Sequence, residues 1–161
     1  MPAIKNFGLR IVFSAFLLPV FFSCDKKKPE QSLTDKNSSE ITFISVSNIG
    51  GKLGHYRIIK VTRDSITAEK GITARKTHEK WNSAISAQTW KLLISSVHVK
   101  DLDKIKSSPS MQSIDGLDET FQIRTPKKSH LYVNSYVDTI HYPQFQHLKD
   151  QINQLLPQEY Q

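Results

Sequence analysis

Apolar and polar residues alternate with a period of two in several short stretches of the chain, the pattern of strands that bury one face. The first stretch spans residues 41–47 and the second spans residues 56–62, with Gly50 and Gly51 in the loop between them. Because glycine readily adopts positive φ in tight reversals, these stretches are predicted to form a hairpin. A further extended region, at residues 65–81, is predicted to follow it.

Two later segments have the spacing of amphipathic helices. The first follows Ser86, a residue type that commonly caps helix N-termini. Its apolar face is formed by four residues: Ala87, Trp90, Ile94 and Val97. The second begins near Pro143 and ends before Pro157, since proline is favoured in the first helical turn and excluded from helix interiors. Its apolar stripe is formed by another four: Phe145, Leu148, Ile152 and Leu155.

A second hairpin is predicted between the two helices, after a turn-rich loop at residues 107–116. In its first strand Phe121 and Ile123 point to one face, and the segment 131–137 returns as its second strand. The aliphatic residues of that segment are predicted to face the core: Leu131, Val133 and Val137. This order of elements predicts an α+β domain, with two helices packed on one face of an antiparallel sheet of about four to six strands.

The first 23 residues have the composition of an export signal. Lys5 and Arg10 precede an apolar run at residues 11–22, and charged residues follow at 25–28. The run is shorter than the roughly 20 apolar residues that a helix needs to span a bilayer. Residues 1–23 are therefore predicted to be a cleaved signal peptide.

The single cysteine of the chain, Cys24, directly follows the apolar run and Ser23. This junction resembles a lipobox, in which cysteine becomes the lipid-modified first residue of the mature protein, although Phe21 and Phe22 replace the residues usual at those positions. We therefore predict lipidation of Cys24 and attachment to a membrane of the bacterial cell envelope, either inner or outer. The alternative is an ordinary signal peptide followed by a free thiol.

Residues 25–40 are polar and charged with almost no apolar content, which is typical of a flexible tether. Residues 41–157 are predicted to form a single domain with its own core. Loss of Lys5 and Arg10 with the signal leaves 20 basic against 15 acidic residues, so the formal charge of the mature chain is only +5. Because the basic residues are scattered and the protein is exported, nucleic acid is not an expected partner.

Residue types that carry chemistry are present, but their spacing favours no enzyme. The six histidines include no pair at i, i+4 and no HExxH motif: His55, His78, His98, His130, His141 and His147. With the cysteine lipidated no thiolate ligand remains, so no metal site is predicted. Asp115, Asp118 and Glu119 adjoin a turn, which accounts for them without an acid/base role. Because a GxSxG elbow and a phosphate-binding glycine loop are also missing, we predict a non-enzymatic protein without a cofactor.

The last predicted strand indicates one interaction surface. Tyr132, Asn134 and Tyr136 alternate with its aliphatic residues and are predicted to emerge on the opposite face. Gln122 and Arg124 have the corresponding positions on the neighbouring strand. Since tyrosine and arginine are enriched in protein interfaces, these five residues are the candidate protein-binding face. The alternative is that the tyrosines only make cross-strand contacts or lie beneath another element.

Several of these features together resemble a family of small uncharacterised bacterial lipoproteins. They are the Gly50–Gly51 hairpin, the helix with Trp90, the loop ending in Asp115 and Gly116, the strand with Phe121 and Ile123, and the C-terminal leucine helix. The layout is also similar, more distantly, to that of emfourin, an inhibitor of thermolysin-type metallopeptidases, from which the chain departs at residues 65–81 and 107–116. These resemblances imply a fold, and a shared layout does not establish a shared function.

The leading hypothesis is a lipid-anchored, non-enzymatic envelope domain that binds another protein, with a peptidase as one candidate partner. The alternative is an accessory lipoprotein that binds a small ligand or a metal, and a hydrolase ranks third. A pocket where several histidines converge would favour the ligand-binding alternative. An exposed aromatic sheet face without a cleft would favour a protein partner.

Overall fold

The structure, a computed structural model, describes residues 40–161. The predicted signal peptide, Cys24 and most of the predicted tether lie outside these residues. Within the described range, six strands form one antiparallel sheet with the spatial order β4-β3-β2-β1-β5-β6. The strands are β1 (Phe43–Gly50), β2 (His55–Val61), β3 (Ser65–Ile72), β4 (Thr77–Ala84), β5 (Leu117–Arg124) and β6 (Ser129–Val133). Together with two α-helices, α1 (Ala87–Ser95) and α2 (Tyr142–Gln154), this sheet confirms the predicted α+β class.

One face of the sheet forms the core. Ile44 of β1 pairs with Val61 of β2 on one side and with Ile123 of β5 on the other, and all three side chains are fully buried. Both helices contribute to the same cluster: Trp90 and Leu93 from α1, and Phe145, Leu148 and Ile152 from α2. The core begins at Ile41 and ends at Tyr160, so a chain that starts at Asp25 keeps every core residue and is expected to fold.

The predicted first hairpin is present, and its reversal depends on glycine. Gly50, Gly51 and Gly54 all have positive φ, at 144°, 74° and 65°. A Cβ atom on Gly50 would lie 2.1 Å from the carbonyl oxygen of Gly116, where the loop before β5 passes close to the end of β1. Only a residue without a side chain allows this approach.

The two helices begin close to where their sequence signals predict. Ser86 caps α1 with its Oγ, which accepts a hydrogen bond from the backbone N–H of Thr89 at 3.0 Å. Pro143 lies in the first turn of α2. Arg57 fixes the end of α2 and the chain that follows it, because it donates to Oδ1 of Asn153 and to the carbonyl oxygen of Tyr160, both at 2.6 Å.

The prediction of a strand through residue 137 is wrong for its second half. β6 ends at Val133, Asn134 adopts the left-handed conformation with φ 48°, and Ser135–Val137 forms a 3₁₀ turn. The Asn134 side chain stabilises this exit from the sheet because its Oδ1 accepts from the N–H of Glu119 at 2.9 Å. Asparagine tolerates the left-handed region better than most residues, so the strand stops there.

The predicted facing of β6 is also wrong. Leu131 is 62% exposed and Val137 is 52% exposed, whereas Tyr132 is only 5% exposed. The pairing register explains the inversion, since Tyr132 lies opposite the fully buried Phe121 of β5 and must share its face. The Tyr132 ring lies 5.1 Å from that of Phe145, and its hydroxyl donates to the carbonyl oxygen of Leu102 at 2.6 Å.

Candidate functional site

The five residues predicted as a protein-binding face do not share one surface. Gln122 and Arg124 lie on the face of the sheet opposite the helices, where the Gln122 amide oxygen can accept from Arg124 Nε at 3.2 Å. Tyr132 belongs to the core, and its burial raises the pKa of its hydroxyl. Asn134 is fully buried, which leaves Tyr136, 42% exposed, as the one predicted aromatic residue that reaches solvent.

The carboxylate of Asp118 anchors the loop that precedes β5. It accepts hydrogen bonds from Ser110 Oγ at 2.5 Å, from the N–H of Met111 at 2.8 Å and from Asn134 Nδ2 at 2.7 Å. Burial acts to raise the pKa of Asp118, but these donors outweigh it and hold the pKa below its ordinary value. Asp118 is therefore a structural carboxylate whose oxygens are already occupied.

Glu119, Tyr142 and Lys149 form a second polar group. Glu119 accepts from the Tyr142 hydroxyl at 2.7 Å and from Lys149 Nζ at 2.5 Å, and Lys149 also donates to the Tyr142 oxygen at 3.1 Å. Burial would lower the pKa of Lys149, but the bond to Glu119 raises it overall. The three side chains satisfy one another, as buried charges must, so this group links β5 to α2.

A groove of about 470 Å³ lies where the C-terminal end of α1 meets α2. We call it the helix-end groove. Three histidines from separate parts of the chain line it: His98, His141 and His147. Their spacing in the sequence predicts no shared site, but the fold brings all three to the same groove.

Hydrogen bonds to the backbone fix the walls of the groove. The N–H of His98 donates to Oε1 of Gln144 at 2.8 Å, which ties the segment after α1 to the start of α2. Asp138, buried just outside the groove, accepts from the N–H of Lys106 at 3.0 Å and from the N–H groups of Ile140 and His141 at 3.2 and 3.1 Å. The bond from Lys106, with the contacts of His141, holds the pKa of Asp138 well below its usual range.

Asp138 also orients the imidazole of His141. Its Oδ2 lies 2.9 Å from Nδ1 of the ring. Because an ionised carboxylate can only accept, Nδ1 carries a hydrogen, and the Nε2 of a neutral His141 ring is left as an acceptor. Carboxylates that position a histidine in this way are common in catalytic and metal sites. In a catalytic site the histidine also needs a nucleophile, and in a metal site it needs further ligands.

The serines of the groove do not complete a nucleophilic pair. Ser95 Oγ donates to the carbonyl oxygen of Leu92 at 2.7 Å, and Ser96 Oγ donates to that of Leu93 at 2.6 Å. Within residues 40–161, no serine hydroxyl is hydrogen-bonded to a histidine. The hydrolase hypothesis therefore gains no support from this geometry.

The described part of the chain also holds no group of three His, Cys, Asp or Glu side chains close enough to share a metal ion. In the same residues, neither helix has the length and apolar content to cross a membrane.

The rim of the groove exposes large apolar side chains. Ile140 is 80% exposed and Leu92 is 58% exposed, and both line the groove. Val137, 52% exposed, precedes Ile140 on the same connection into α2. The sequence does not reveal this surface, because the period-two pattern of residues 131–137 predicts one strand and assigns Val137 to the core.

Comparison with known proteins adds no family to this picture. No protein-family model matches the sequence. A comparison with curated proteins likewise finds no significant match. The resemblances to small bacterial lipoproteins and to emfourin therefore stay predictions.

Proposed function

We propose that this chain is a lipid-anchored protein of the bacterial cell envelope whose domain binds a segment of another protein in the helix-end groove. The observation that carries the proposal is the pairing of an exposed apolar rim, Leu92 and Ile140, with a polar groove fixed by backbone hydrogen bonds. No reaction is assigned to the site, because Ser95 and Ser96 donate to helix carbonyls.

The size and composition of the groove suit a protein segment. Large apolar side chains that remain exposed beside a concave surface commonly mark interaction sites. A volume of about 470 Å³ accommodates a few side chains, and Leu92 and Ile140 would lose their exposure to water on binding. The core is complete without them, so this exposure has no role in folding.

The lipid anchor would limit how far from the membrane the domain can bind its partner. Lipid on Cys24, followed by the polar residues to Glu40, would hold the domain within roughly 20–25 Å of the membrane, the typical reach of a flexible chain of this length. The partner is therefore expected at the same membrane. Intact mass and membrane partition of wild type and Cys24→Ser test the anchor, and equal lipidation of the two forms would refute it.

Crosslinked affinity purification from native membranes tests the groove. The double variant Leu92→Ser/Ile140→Ser should lose most of the crosslinked partner, because both changes remove apolar contact area at the rim. The matched control is Ile114→Ser/Leu131→Ser, which removes two equally exposed apolar side chains, 77% and 62% exposed, elsewhere on the domain. Equal capture by the two double variants would contradict the proposal.

The convergence of His98, His141 and His147 on one groove is the observation that favours the ligand-binding alternative. The protein-binding function is preferred because Leu92 and Ile140 expose large apolar side chains at the rim of the same groove. A small molecule bound there would remain with the purified domain, whereas a protein partner would crosslink to it. Native mass spectrometry of the domain purified from envelopes separates the two candidates. A bound small molecule that His141→Phe removes, with no crosslinked protein, would favour the alternative.

A further inference from the structure

We infer that the outer edge of β4 pairs with the β4 strand of a second copy of this chain, so that two sheets join into one. β4 lies at one end of the strand order and pairs, among residues 40–161, only with β3. None of its residues lines the helix-end groove. The inference therefore goes beyond the proposed function and does not depend on it.

The outer edge of β4 carries backbone groups that its pairing with β3 leaves unused. The N–H of Ile85 donates to the carbonyl oxygen of Asp64 at 3.0 Å, which marks a hydrogen-bonded pair at the end of the β3–β4 ladder. Hydrogen-bonded and non-hydrogen-bonded pairs alternate in an antiparallel ladder. The N–H and C=O groups that point away from β3 therefore belong to every second residue of the strand: His78, Lys80 and Asn82. A row of such groups is a template for a further strand.

The opposite edge of the sheet is covered by the chain itself. The N–H of Ser108 donates to the carbonyl oxygen of Val133 at 3.0 Å, and the N–H of Val133 donates to Oγ of Ser107 at 3.1 Å. β6 is also the shorter edge strand, with five residues against eight in β4. In the described part of the chain, β4 has no covering segment of this kind. The two edges therefore differ in their capacity to accept another strand.

β4 also lacks the features that commonly protect sheet edges, which are proline, bulges and unpaired charges. It contains no proline, and its register with β3 is continuous from Thr77 to Ala84. Its charged side chains are one acidic and one basic, and each faces an opposite charge on β3. Glu79 lies 3.2 Å from Lys70 Nζ, and Lys80 Nζ lies 3.4 Å from Glu69. The strand therefore presents no net charge to an incoming strand.

The sequence of β4 restricts how two copies can pair. A two-fold axis perpendicular to the sheet keeps the helices of both copies on one side, and it places residues of the same face opposite each other. A register centred on Glu79 or on Lys80 would set that charge directly against its own copy. Like charges in directly opposed positions are destabilising, so these two registers are disfavoured.

A register centred on Trp81 has no such conflict. Lys80 then lies opposite Asn82 of the second copy, whose amide oxygen can accept from the ammonium group. Glu79 lies opposite Ser83, which is small and uncharged. The two Trp81 side chains form a non-hydrogen-bonded pair, the position where side chains across an antiparallel pair are closest, and aromatic pairs there are stabilising. This match of the strand with itself is the reason to assign the edge to a second copy.

Sedimentation velocity of the chain from Asp25, which retains the whole core, tests the association. Wild type should approach twice the monomer mass between about 1 µM and about 1 mM, the range of weak association. Asn82→Pro should abolish the dimer, because proline removes a backbone N–H that points away from β3 and leaves the β3–β4 hydrogen bonds in place. Urea unfolding of the variant checks that the domain still folds.

Charge variants at the same position test the register without altering the backbone. In the Trp81-centred pairing a residue at position 82 faces Lys80 of the second copy. Asn82→Glu should tighten dimerisation about fivefold and Asn82→Lys should weaken it about fivefold, since the two-fold axis repeats each charge pair. Ser113→Glu and Ser113→Lys are the matched controls, because Ser113 is exposed in the turn before β5, on a strand not adjacent to β4. Both controls should dimerise like wild type.

Disulfide trapping in a glutathione buffer gives a second test of the register, since the chain from Asp25 contains no cysteine. Glu79→Cys/Ser83→Cys should link two copies rapidly, because positions 79 and 83 would be opposite each other with Cα atoms about 4.5 Å apart. Thr77→Cys/Ser83→Cys is the matched control. Position 77 would lie two residues from the position opposite 83, beyond the roughly 7 Å that a disulfide spans.

A wild-type chain that stays monomeric would overturn the inference. Equal effects of the charges at positions 82 and 113, or equally fast linkage of the two cysteine variants, would also overturn it. If wild type is monomeric but Asn82→Pro loses a partner crosslinked in native membranes, the edge binds a strand of another protein and not a second copy. Leu92→Ser/Ile140→Ser should dimerise like wild type, so this inference and the proposed function of the groove fail separately.

Discussion

Replacing Tyr132 by phenylalanine would remove one buried hydroxyl group and leave the ring in place. The hydroxyl donates to the carbonyl oxygen of Leu102 at 2.6 Å, in a part of the domain where Tyr132 is 5% exposed and the Leu102 side chain is 1% exposed. Phenylalanine fits the same space between Phe145 and His130. The effect of the change is therefore confined to one lost hydrogen bond and one stranded carbonyl oxygen.

The expected loss of stability can be estimated from that single hydrogen bond. A buried acceptor left without a donor loses about 1–3 kcal/mol, so Tyr132→Phe should lower the free energy of unfolding by about 2 kcal/mol. Tyr132→Ser also removes the ring from the core and should cost about 3–5 kcal/mol. The facing predicted from the sequence alone would instead have placed Tyr132 on the surface, where substitutions change stability by about 0.5 kcal/mol or less.

Urea unfolding of the chain from Asp25, followed by fluorescence, measures these values. Tyr136→Phe is the matched control, because Tyr136 is 42% exposed and its hydroxyl makes a single weak hydrogen bond within residues 40–161, to Met111 Sδ at 3.9 Å. The control should unfold within about 0.5 kcal/mol of wild type. The reasoning is refuted if Tyr132→Phe unfolds at the same urea concentration as Tyr136→Phe.

Three further outcomes follow from individual residues. Gly50→Ala should lower the free energy of unfolding in urea by about 3 kcal/mol, since its Cβ would lie 2.1 Å from the Gly116 carbonyl oxygen. Gly51→Ala, with open space around it, should lower it by only about 1 kcal/mol, and equal losses would contradict the steric argument. The pKa of Asp138 is lower in the folded state than the ordinary 3.8, so its contribution to stability is present above that pH and is lost as the pH falls below it. Asp138→Asn should therefore reduce the loss of thermal stability at acid pH, and a loss equal to that of wild type would refute the assignment. Burial and the charge of Lys128 lower the pKa of His130 below 6.5, although Asp103 acts in the opposite direction. The unfolded chain therefore binds the proton more readily, and stability should fall as the pH drops below 6.5. His130→Phe should remove this decline, and a pH profile identical to that of wild type would count against the argument.

The parts of the fold that could be predicted are those set by local spacing. Ile44 and Val46 alternate with Ser45 and Ser47, and both are buried in β1. Phe145, Leu148 and Ile152 recur at helical intervals, and all three are buried in α2. In these segments the buried face differs from the exposed face in hydrophobicity, so one strand or one helix carries enough information by itself.

The facing of β6 could not be predicted in this way because both of its faces are apolar. Leu131 and Val133 alternate with Tyr132, and aliphatic residues are more often buried than tyrosine. The outcome is decided by pairing with Phe121 and by a hydroxyl partner on Leu102, a residue 30 positions away. Contacts of this range are visible only in the folded chain.

The candidate site could not be predicted for the same reason, because its residues are distant from one another in the sequence. His98 and Gln144, which are hydrogen-bonded across the groove, are 46 positions apart in the sequence. The exposed Ile140 lies in a short connection without periodicity, so no pattern distinguishes it from a buried residue. Spacing rules for histidines apply within one helix or one loop, and His141 and His98 belong to different elements.

Polar contacts position the connection that leads from β6 into the groove. Asn134 ends β6 by bonding to Glu119 and Asp118, and Asp138 then binds the backbone of Lys106 and His141 before α2 begins. Each bond joins a buried side chain to a fixed partner, so loss of one acceptor leaves donors that no apolar neighbour can satisfy. A substitution in the apolar core would lower the stability of the whole domain, including the groove, because the two helices that line the groove pack into that core. A substitution at Asp138 would instead release the backbone at His141 while the core stays packed, and the site would be lost before the fold.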